Sequence, residues 1–466
     1  MLSRLLLAAA SSLALAACAT GPNYVAKPVS AAAAGPFISA EGAANVSPAQ
    51  PTGKWWRLYD DPVLDGLVAD ALASNTDIRV AVAHLSKARA ILREERGARE
   101  PQVGVSAASQ YGRLPGVAVP GQKRTDVQVD LGLDVAYEVD LFGRVSRSIE
   151  AARGDVGAAS ADADAVRVAV VSETAGAYAD AVSSAERIAV AQHIVDLLGE
   201  SLALTERRHQ VGLATALDTA RIGALRDQRQ AEIPPLQAER EAALFRLATL
   251  TGRAPRELPP EVARRTTSLR LDQPIPVGDG AALLARRPDV RAAERRLAAA
   301  TARIGVATAD LYPKITLGGS IGSSGAGLGN VFSANPLTWL VGPLINWTAN
   351  RSAARARVAG AQADTQAALA TFDGTVLQAL QETETALSNY RQALQRRDAL
   401  RSARDQAETA ARITRARQRE GDISSLELLD SERTAADAEA DLAEADARIA
   451  TAQVDLFKAL GGGWQG

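Results

Sequence analysis

The chain has 466 residues, 52 Lys+Arg against 54 Asp+Glu for a net charge of −2, and only 4% aromatic residues. That length exceeds the usual single-domain size, so two or more structural units are expected. The cancelled charge excludes the basic excess of a nucleic-acid binder, and an Ala-, Arg- and Leu-rich composition points to long helices.

Met1-Leu2-Ser3-Arg4 gives a short positive start, and residues 5–17 are apolar, too short to span a bilayer and of signal-peptide length. The stretch ends in Leu15-Ala16-Ala17-Cys18, which resembles a bacterial lipobox with cleavage before Cys18 and acylation of its sulfur. Cys18 is the only cysteine, so no intrachain disulfide forms. Ala19 follows where many inner-membrane lipoproteins carry aspartate, which by resemblance favours the outer membrane. Residues 1–17 are therefore read as signal peptide and 18–54, rich in Ala, Pro, Gly and Ser, as a lipidated linker. No other run of 18 apolar residues occurs, so no membrane-spanning helix is expected after cleavage.

From there the chain repeats itself. Asn75-Thr76-Asp77-Ile78-Arg79-Val80-Ala81 matches Arg287-Pro288-Asp289-Val290-Arg291-Ala292-Ala293, and Leu250-Thr251-Gly252 parallels Leu460-Gly461. Such self-similarity implies two like halves. They are placed at residues 55–252 and 281–461, with a Pro-rich joint over 253–280 and a tail over 462–466. Each half reads helix, strand, loop, strand, long helix, turn, helix.

Residues 127–141 alternate with period two: Val127, Val129, Leu131, Leu133, Val135, Tyr137, Val139 and Leu141 against polar or small even positions that include Asp130, Asp134 and Glu138. A weaker strand is expected over 103–111, and the second half repeats the pair at 315–321 and 337–347, with loops over 112–126 and 322–336. No proline occurs between Pro120 and Pro234 or after Pro343. Residues 148–210 and 351–419 can therefore each form a helix of roughly 95–105 Å at about 1.5 Å per residue. Each is expected to return through a Gly-containing turn into a second helix of about 35 residues, several-fold beyond ordinary helix length.

A strand pair with one apolar face must bury that face or place it in lipid, and a membrane sheet must close because hydrocarbon tolerates no open edge. Single-chain barrels start at eight strands. Four cannot enclose a lumen, so copies must share one barrel, and three copies supply twelve strands. The bland alternative is a soluble four-stranded sheet packed on helices. The expected fold is mainly α with membrane β: a trimeric 12-stranded outer-membrane β-barrel, four strands per chain, continuous with a long α-helical periplasmic barrel. Long Ala-rich helices are stable only when laid side by side in such a tube.

The residues that carry a family resemblance are Trp55-Trp56-Arg57-Leu58-Tyr59-Asp60-Asp61-Pro62, Tyr137-Glu138-Val139-Asp140-Leu141-Phe142-Gly143-Arg144, and Leu284-Ala285-Arg286-Arg287-Pro288-Asp289-Val290-Arg291-Ala292-Ala293-Glu294 followed by Tyr312-Pro313-Lys314-Ile315. In this order the chain resembles the TolC-like outer-membrane factors of tripartite efflux systems, in their lipoprotein (NodT-type) branch, over about residues 55–460. The resemblance implies a homotrimer in outer-membrane lipid, docked by a periplasmic adaptor (membrane fusion) protein and an inner-membrane pump of the resistance-nodulation-division type. It implies a passive exit duct for drugs or other small molecules. One departure is the second strand-to-helix junction, Ile345-Asn346-Trp347-Thr348-Ala349-Asn350-Arg351, which lacks the Phe-Asp-Gly-Gly of many relatives.

Two turns carry the candidate site. In the second, Gly421 ends one helix, Ser424 can cap the next, and Glu427 and Asp430 share one helical face. By the resemblance, Leu426, Glu427 and Asp430 constrict a periplasmic gate, Arg417 helps hold it closed, and Gln418 stands where many relatives have tyrosine. The bland reading makes both acids solvated groups at a helix start, worth a few tenths of a kcal/mol. In the first turn Gly212, Thr215, Leu217 and Asp218, with Gly421 and Ser424 of the second, are the expected adaptor contacts; simple hairpin geometry is the alternative.

His84, His193 and His209 lack metal-ligand spacing, and no nucleophile motif, phosphate loop or Cys/His cluster appears. No enzyme activity, metal or cofactor is expected. Met1 is the only methionine, which weighs against export of soft metals. Two rivals share parts of this pattern. A type I protein-secretion duct usually lacks a lipobox, and a non-conducting envelope-tethering lipoprotein would not need alternating strands.

Overall fold

A computed structural model describes residues 20–28, 30–51, 53–113, 125–271, 273–326, 328–332 and 337–462. The expected signal peptide, Cys18, most of the 112–126 loop, part of the 322–336 loop and the tail beyond Gly462 lie outside these residues. The helices of seven residues or more, in chain order, are α1 (Pro62–Ser74), α2 (Thr76–Gly97), α3 (Arg144–Gln210), α4 (Ala216–Gln230), α5 (Ile233–Leu250), α6 (Gly280–Arg286), α7 (Pro288–Ala309), α8 (Ser352–Glu420) and α9 (Ser425–Ala459). Two compact units form. Among the described residues the first takes 20–27, His84–Ser160 and Ala292–Asp373; the second takes Pro28–Ala83, Ala161–Arg291 and 374–462. Each unit thus draws on both sequence halves.

The first unit holds one antiparallel sheet, ordered β1 (Gln102–Arg113), β2 (Thr125–Val139), β3 (Lys314–Ala326) and β4 (Leu337–Asn346). The halves meet where β2 pairs with β3, from Gln128 opposite Ala326 to Val139 opposite Ile315. The strand ends shift from expectation by up to five residues, and two of the shifts have a clear cause. β3 runs to Ala326 through Gly322-Ser323-Ser324-Gly325, which reads as loop, because β2 offers partners along its length and ladder pairing outweighs poor strand propensity. β2 stops at Val139, short of Leu141, because Asp140 turns away to cap α3: its carboxylate accepts from Val145 N at 2.9 Å and Ser146 N at 2.8 Å. Beneath the sheet α3 meets α7 closely, since a Cβ on Gly154 would lie 2.9 Å from Ala299 Cβ.

The second unit centres on a core of Trp55, Leu64, Tyr178, Leu247, Leu283 and Phe457. Trp55 stacks on Phe457 at 4.6 Å. Asp61 ties three segments together: Oδ1 caps α1 at Val63 N (2.8 Å), and Oδ2 accepts from the Tyr178 hydroxyl (3.0 Å) and Arg265 Nη1 (2.8 Å). The Pro-rich joint is part of this core rather than a bare connector. Val262, Leu269, Ile275 and Val277 are buried, and Ile275–Pro276 pairs in parallel with Val46–Ser47.

The return limb of the first hairpin corrects an expectation. It is two helices, α4 and α5, not one of about 35 residues; α9, its counterpart, runs unbroken for 35. Pro234 and Pro235 are the cause, because proline lacks the amide donor and clashes with the preceding turn. α3 contains a stretch long and apolar enough by composition to cross a membrane. Its Ala175, Ala177, Tyr178 and Ala179 are buried in the second unit's core.

Candidate gate and pore wall

The register of the sheet divides its two faces by chemistry. Residues paired across antiparallel strands share a face, so Val105, Leu133, Ile321 and Trp339 form one row and Val103, Val135, Gly319 and Val341 the next. The side chains of these rows stand out in the open: Val105 is 83% exposed and Trp339 74%. The opposite face carries rows of small and polar residues: Ser106, Gly132, Gly322 and Thr338, then Ala108, Asp130 and Ser324. There Gln128 Nε2 donates to Ser324 Oγ at 2.9 Å and to Asp130 Oδ1 at 3.2 Å. β4 departs from the alternation, with Leu340 and Leu344 exposed on the polar face. Among the described residues the outer edges of β1 and β4 have no strand partner.

The strand-to-helix junctions explain the sequence motif found there. Glu138 receives a two-pronged contact from Arg144 (2.7 and 2.6 Å) and a third from Lys314 Nζ (2.9 Å), which joins the foot of β2 to the foot of β3. Gly143 takes φ +76° so that the chain can turn into α3. The divergent second junction solves the same problem with Asn350, whose Oδ1 accepts from Ser352 N at 3.1 Å, while the Arg351 guanidinium lies 5.0 Å over the Trp347 ring.

The two turns of the second unit are built alike. α3 ends as Gly212 N donates to His209 O (3.0 Å) and Leu213 N to Arg208 O (2.7 Å); α8 ends as Gly421 N donates to Gln418 O and Asp422 N to Arg417 O (both 3.0 Å). Gly212 and Gly421 take φ +78° and +83°. The turns are linked by Arg208 Nη1, which donates to Gln418 O at 2.7 Å. They differ in what the acid does next. Thr215 and Asp218 close a reciprocal capping box, and the Thr215 hydroxyl and amide hold the Asp218 carboxyl below its ordinary range. In the second turn Ser424 Oγ caps Glu427 N at 3.2 Å, but the Glu427 carboxylate stands 3.5 Å from that hydroxyl and leaves the box open.

Leu426 is 56% exposed, near its counterpart Leu217 at 57%, and Glu427 and Asp430 are exposed on α9. Arg417 meets neither acid: it pairs with Asp422 of its own turn at 2.8 Å. Gln418 is buried, and its Nε2 has no partner among the described residues.

Sequence reasoning passed over Glu432. It lies one turn past Leu428 in the buried stripe of α9, accepts from Arg415 Nε at 2.9 Å and Ser201 Oγ at 2.7 Å, and so joins α8, α9 and α3 just behind the turn. Its signal is an acid in the Leu428–Glu432–Ala436 register, between two apolar neighbours of the buried stripe. Farther along, burial raises the Glu439 carboxyl, Glu408 adds to that, and His193 and Arg404 oppose it.

The pattern of the outer membrane efflux protein family matches residues 67–253 and 281–462. The chain is 32% identical to outer membrane protein OprJ of Pseudomonas aeruginosa, over 97% of this chain and 94% of that protein. It superposes on the outer-membrane channel OprN with a TM-score of 0.89 at 37% identity, covering 96% of this chain and all of the other. The open state of the Neisseria gonorrhoeae MtrE outer membrane channel superposes with a TM-score of 0.82 at 28% identity, covering 96% and 99%.

Proposed function

The chain belongs to the outer membrane efflux protein family and is an outer-membrane efflux channel, and from that premise we propose that it is the passive exit duct of a three-part pump. The fold is that of the trimeric outer-membrane channels, with four strands from each of three chains in a twelve-stranded barrel. The observation that carries the duct is the paired-face register of β1–β4. An apolar face suits lipid, a face of Asp130, Asp134, Ser and Gly suits water, and two open edges need a second copy on each side. Exposed Leu377 and Ile413 on α8 and Phe245 on α5 fit burial against neighbouring copies.

Leu426, Glu427 and Asp430 form the periplasmic gate, and Arg417 tunes it through Asp422. The open capping box supports this reading: Asp218 is committed to Thr215, while Glu427, its counterpart, keeps only a long 3.5 Å contact with Ser424 Oγ beside exposed Leu426. Val211, Leu213 and Leu217 at the first turn, with Gly212, Thr215, Asp218, Gly421 and Ser424, receive a periplasmic adaptor. The adaptor links the duct to an inner-membrane pump of the resistance-nodulation-division type that exports drugs or other small molecules. Cys18 carries the lipid that anchors the chain in the outer membrane.

Planar-bilayer recording tests the proposal. The wild-type protein conducts ions in small steps, and Glu427→Ala with Asp430→Ala raises single-channel conductance. Unchanged conductance refutes the gate, and silence from both proteins refutes the duct.

A further inference from the structure

The register of the sheet leaves a pit in its apolar face. Three successive rows on that face are Tyr137–Leu317–Pro343, Val135–Gly319–Val341 and Leu133–Ile321–Trp339. The middle row has no side chain on β3. Over that gap lies a cavity of about 510 Å³, walled by Leu133, Val135, Tyr137, Leu317, Ile321 and Trp339.

The fold itself does not call for this glycine. A glycine inside a strand weakens it, and ordinarily marks a bulge, a tight bend or the close approach of a ligand or another backbone. The ladder runs without a bulge from Tyr137 opposite Leu317 to Leu133 opposite Ile321, and Gly319 does not take a left-handed φ. Nor is the space already filled. A Cβ on Gly319 would stand 3.5 Å from Val341 Cγ2 and 3.7 Å from Leu340 O, which are ordinary contact distances. A Cβ on Gly322, by contrast, would lie 3.0 Å from Leu131 O. Close approach of a ligand is what remains.

The wall of the pit says what that ligand is. It is largely aliphatic, with the Tyr137 and Trp339 rings at opposite corners; such rings keep an apolar body in lipid and a polar tip for the headgroup level. A bare pit forfeits dispersion contacts that a flexible hydrocarbon chain recovers. From the row of Tyr137 to the row of Leu133 is about 14 Å at ~3.4 Å per residue, close to half of a ~30 Å hydrocarbon core. The Tyr137 end lies two residues from the foot of β2 at Val139. We propose that the pit seats one acyl chain of a phospholipid, drawn from the leaflet at the foot of the sheet and held with its head toward Tyr137. Gly319 opens the seat, and the chain in it completes the apolar face of the barrel.

Native mass measurement of the delipidated, detergent-extracted trimer, titrated with palmitoyl-oleoyl phosphatidylethanolamine, tests the seat. The wild type keeps one lipid per chain after the detergent is stripped, and Gly319→Leu, which fills the pit, loses at least ~10-fold in affinity. Gly319→Ala, whose Cβ the space admits, loses less and keeps the fold. Val105→Leu, which shares the row of Leu133 but is off the wall of the pit, leaves binding unchanged. Equal affinity in the wild type and both Gly319 variants overturns the seat, as does a wild type that keeps no lipid. Retention of lipid A in place of phosphatidylethanolamine overturns the choice of leaflet. Delipidated trimers that pair face to face, and stop pairing in Gly319→Leu, would make a second copy the occupant and overturn the lipid.

Discussion

Asn75 and Arg287 hold the same place in the two halves, and each ties the break between two helices to the end of its own half's last helix. Asn75 Nδ2 donates to Leu250 O at 3.0 Å, and Arg287 Nη1 donates to Ala459 O at 3.0 Å. Asn75 Oδ1 also caps α2 at Asp77 N (2.8 Å), while Arg287 holds Asp289 and Glu382, each at 2.7 Å. The chemistry has diverged while the structural task persists.

These two anchors differ in what their loss leaves behind. Asn75→Ala removes a cap and orphans a buried carbonyl, about 2–3 kcal/mol in all. Arg287→Ala additionally strips Asp289 and Glu382 of their cation; both side chains are 39% exposed, so water replaces part of that contact and about 3–4 kcal/mol is expected. Thermal unfolding of the detergent-solubilised trimer should rank Arg287→Ala below Asn75→Ala; the reverse order would contradict the assignment.

Glu432 joins three helices behind the turn, so Glu432→Ala leaves Arg415 and Ser201 without their acceptor. A cost of about 2–3 kcal/mol is expected from loss of charge-assisted hydrogen bonds. Glu432→Gln, which keeps an acceptor, should recover part of it. Limited proteolysis at the turns reads the difference, with Glu432→Ala cut fastest.

Arg417 should separate stability from gating. Its pair with Asp422 is exposed on both sides, so Arg417→Ala costs less than about 1 kcal/mol. Conductance should nonetheless rise if Arg417 holds the turn in its closed form. A variant that melts early with ordinary conductance would reverse that division of roles.

Two carboxylates give opposite pH signatures. Asp218 is held low by Thr215, so its contribution is present above the unfolded pKa and lost as pH falls through the folded one. Asp218→Asn should weaken the first hairpin at neutral pH by roughly 0.5–1 kcal/mol and change nothing in acid. Asp180 is raised, chiefly by burial and then by Asp455 and Glu239, against Arg246. Its charge costs stability at neutral pH, and that cost disappears as pH falls through the raised folded value. Asp180→Asn should therefore stabilise the protein at pH 7 and not in acid. Melting curves of both variants across pH check the signs.

Much of the architecture was legible because its signals are local and repeated. Period two over Val127–Val139 marks β2, and the long proline-free stretches mark α3 and α8. The extension of β3 to Ala326 was illegible because its Gly-Ser stretch pairs only through a partner strand from the other half. The break before α5 is signalled by Pro234-Pro235, which cannot continue a helix from the preceding turn. At the turns, glycine and capping residues stand out in sequence, whereas Glu432 does not, since its partners Arg415 and Ser201 lie on other helices.

No single copy can satisfy both sheet faces and both open edges. Native mass measurement of the detergent-extracted protein, with circular dichroism on the same sample, tests it most directly. An assembly of three chains that falls to one chain on heating is expected. A stable single chain that keeps its full β signal would contradict it.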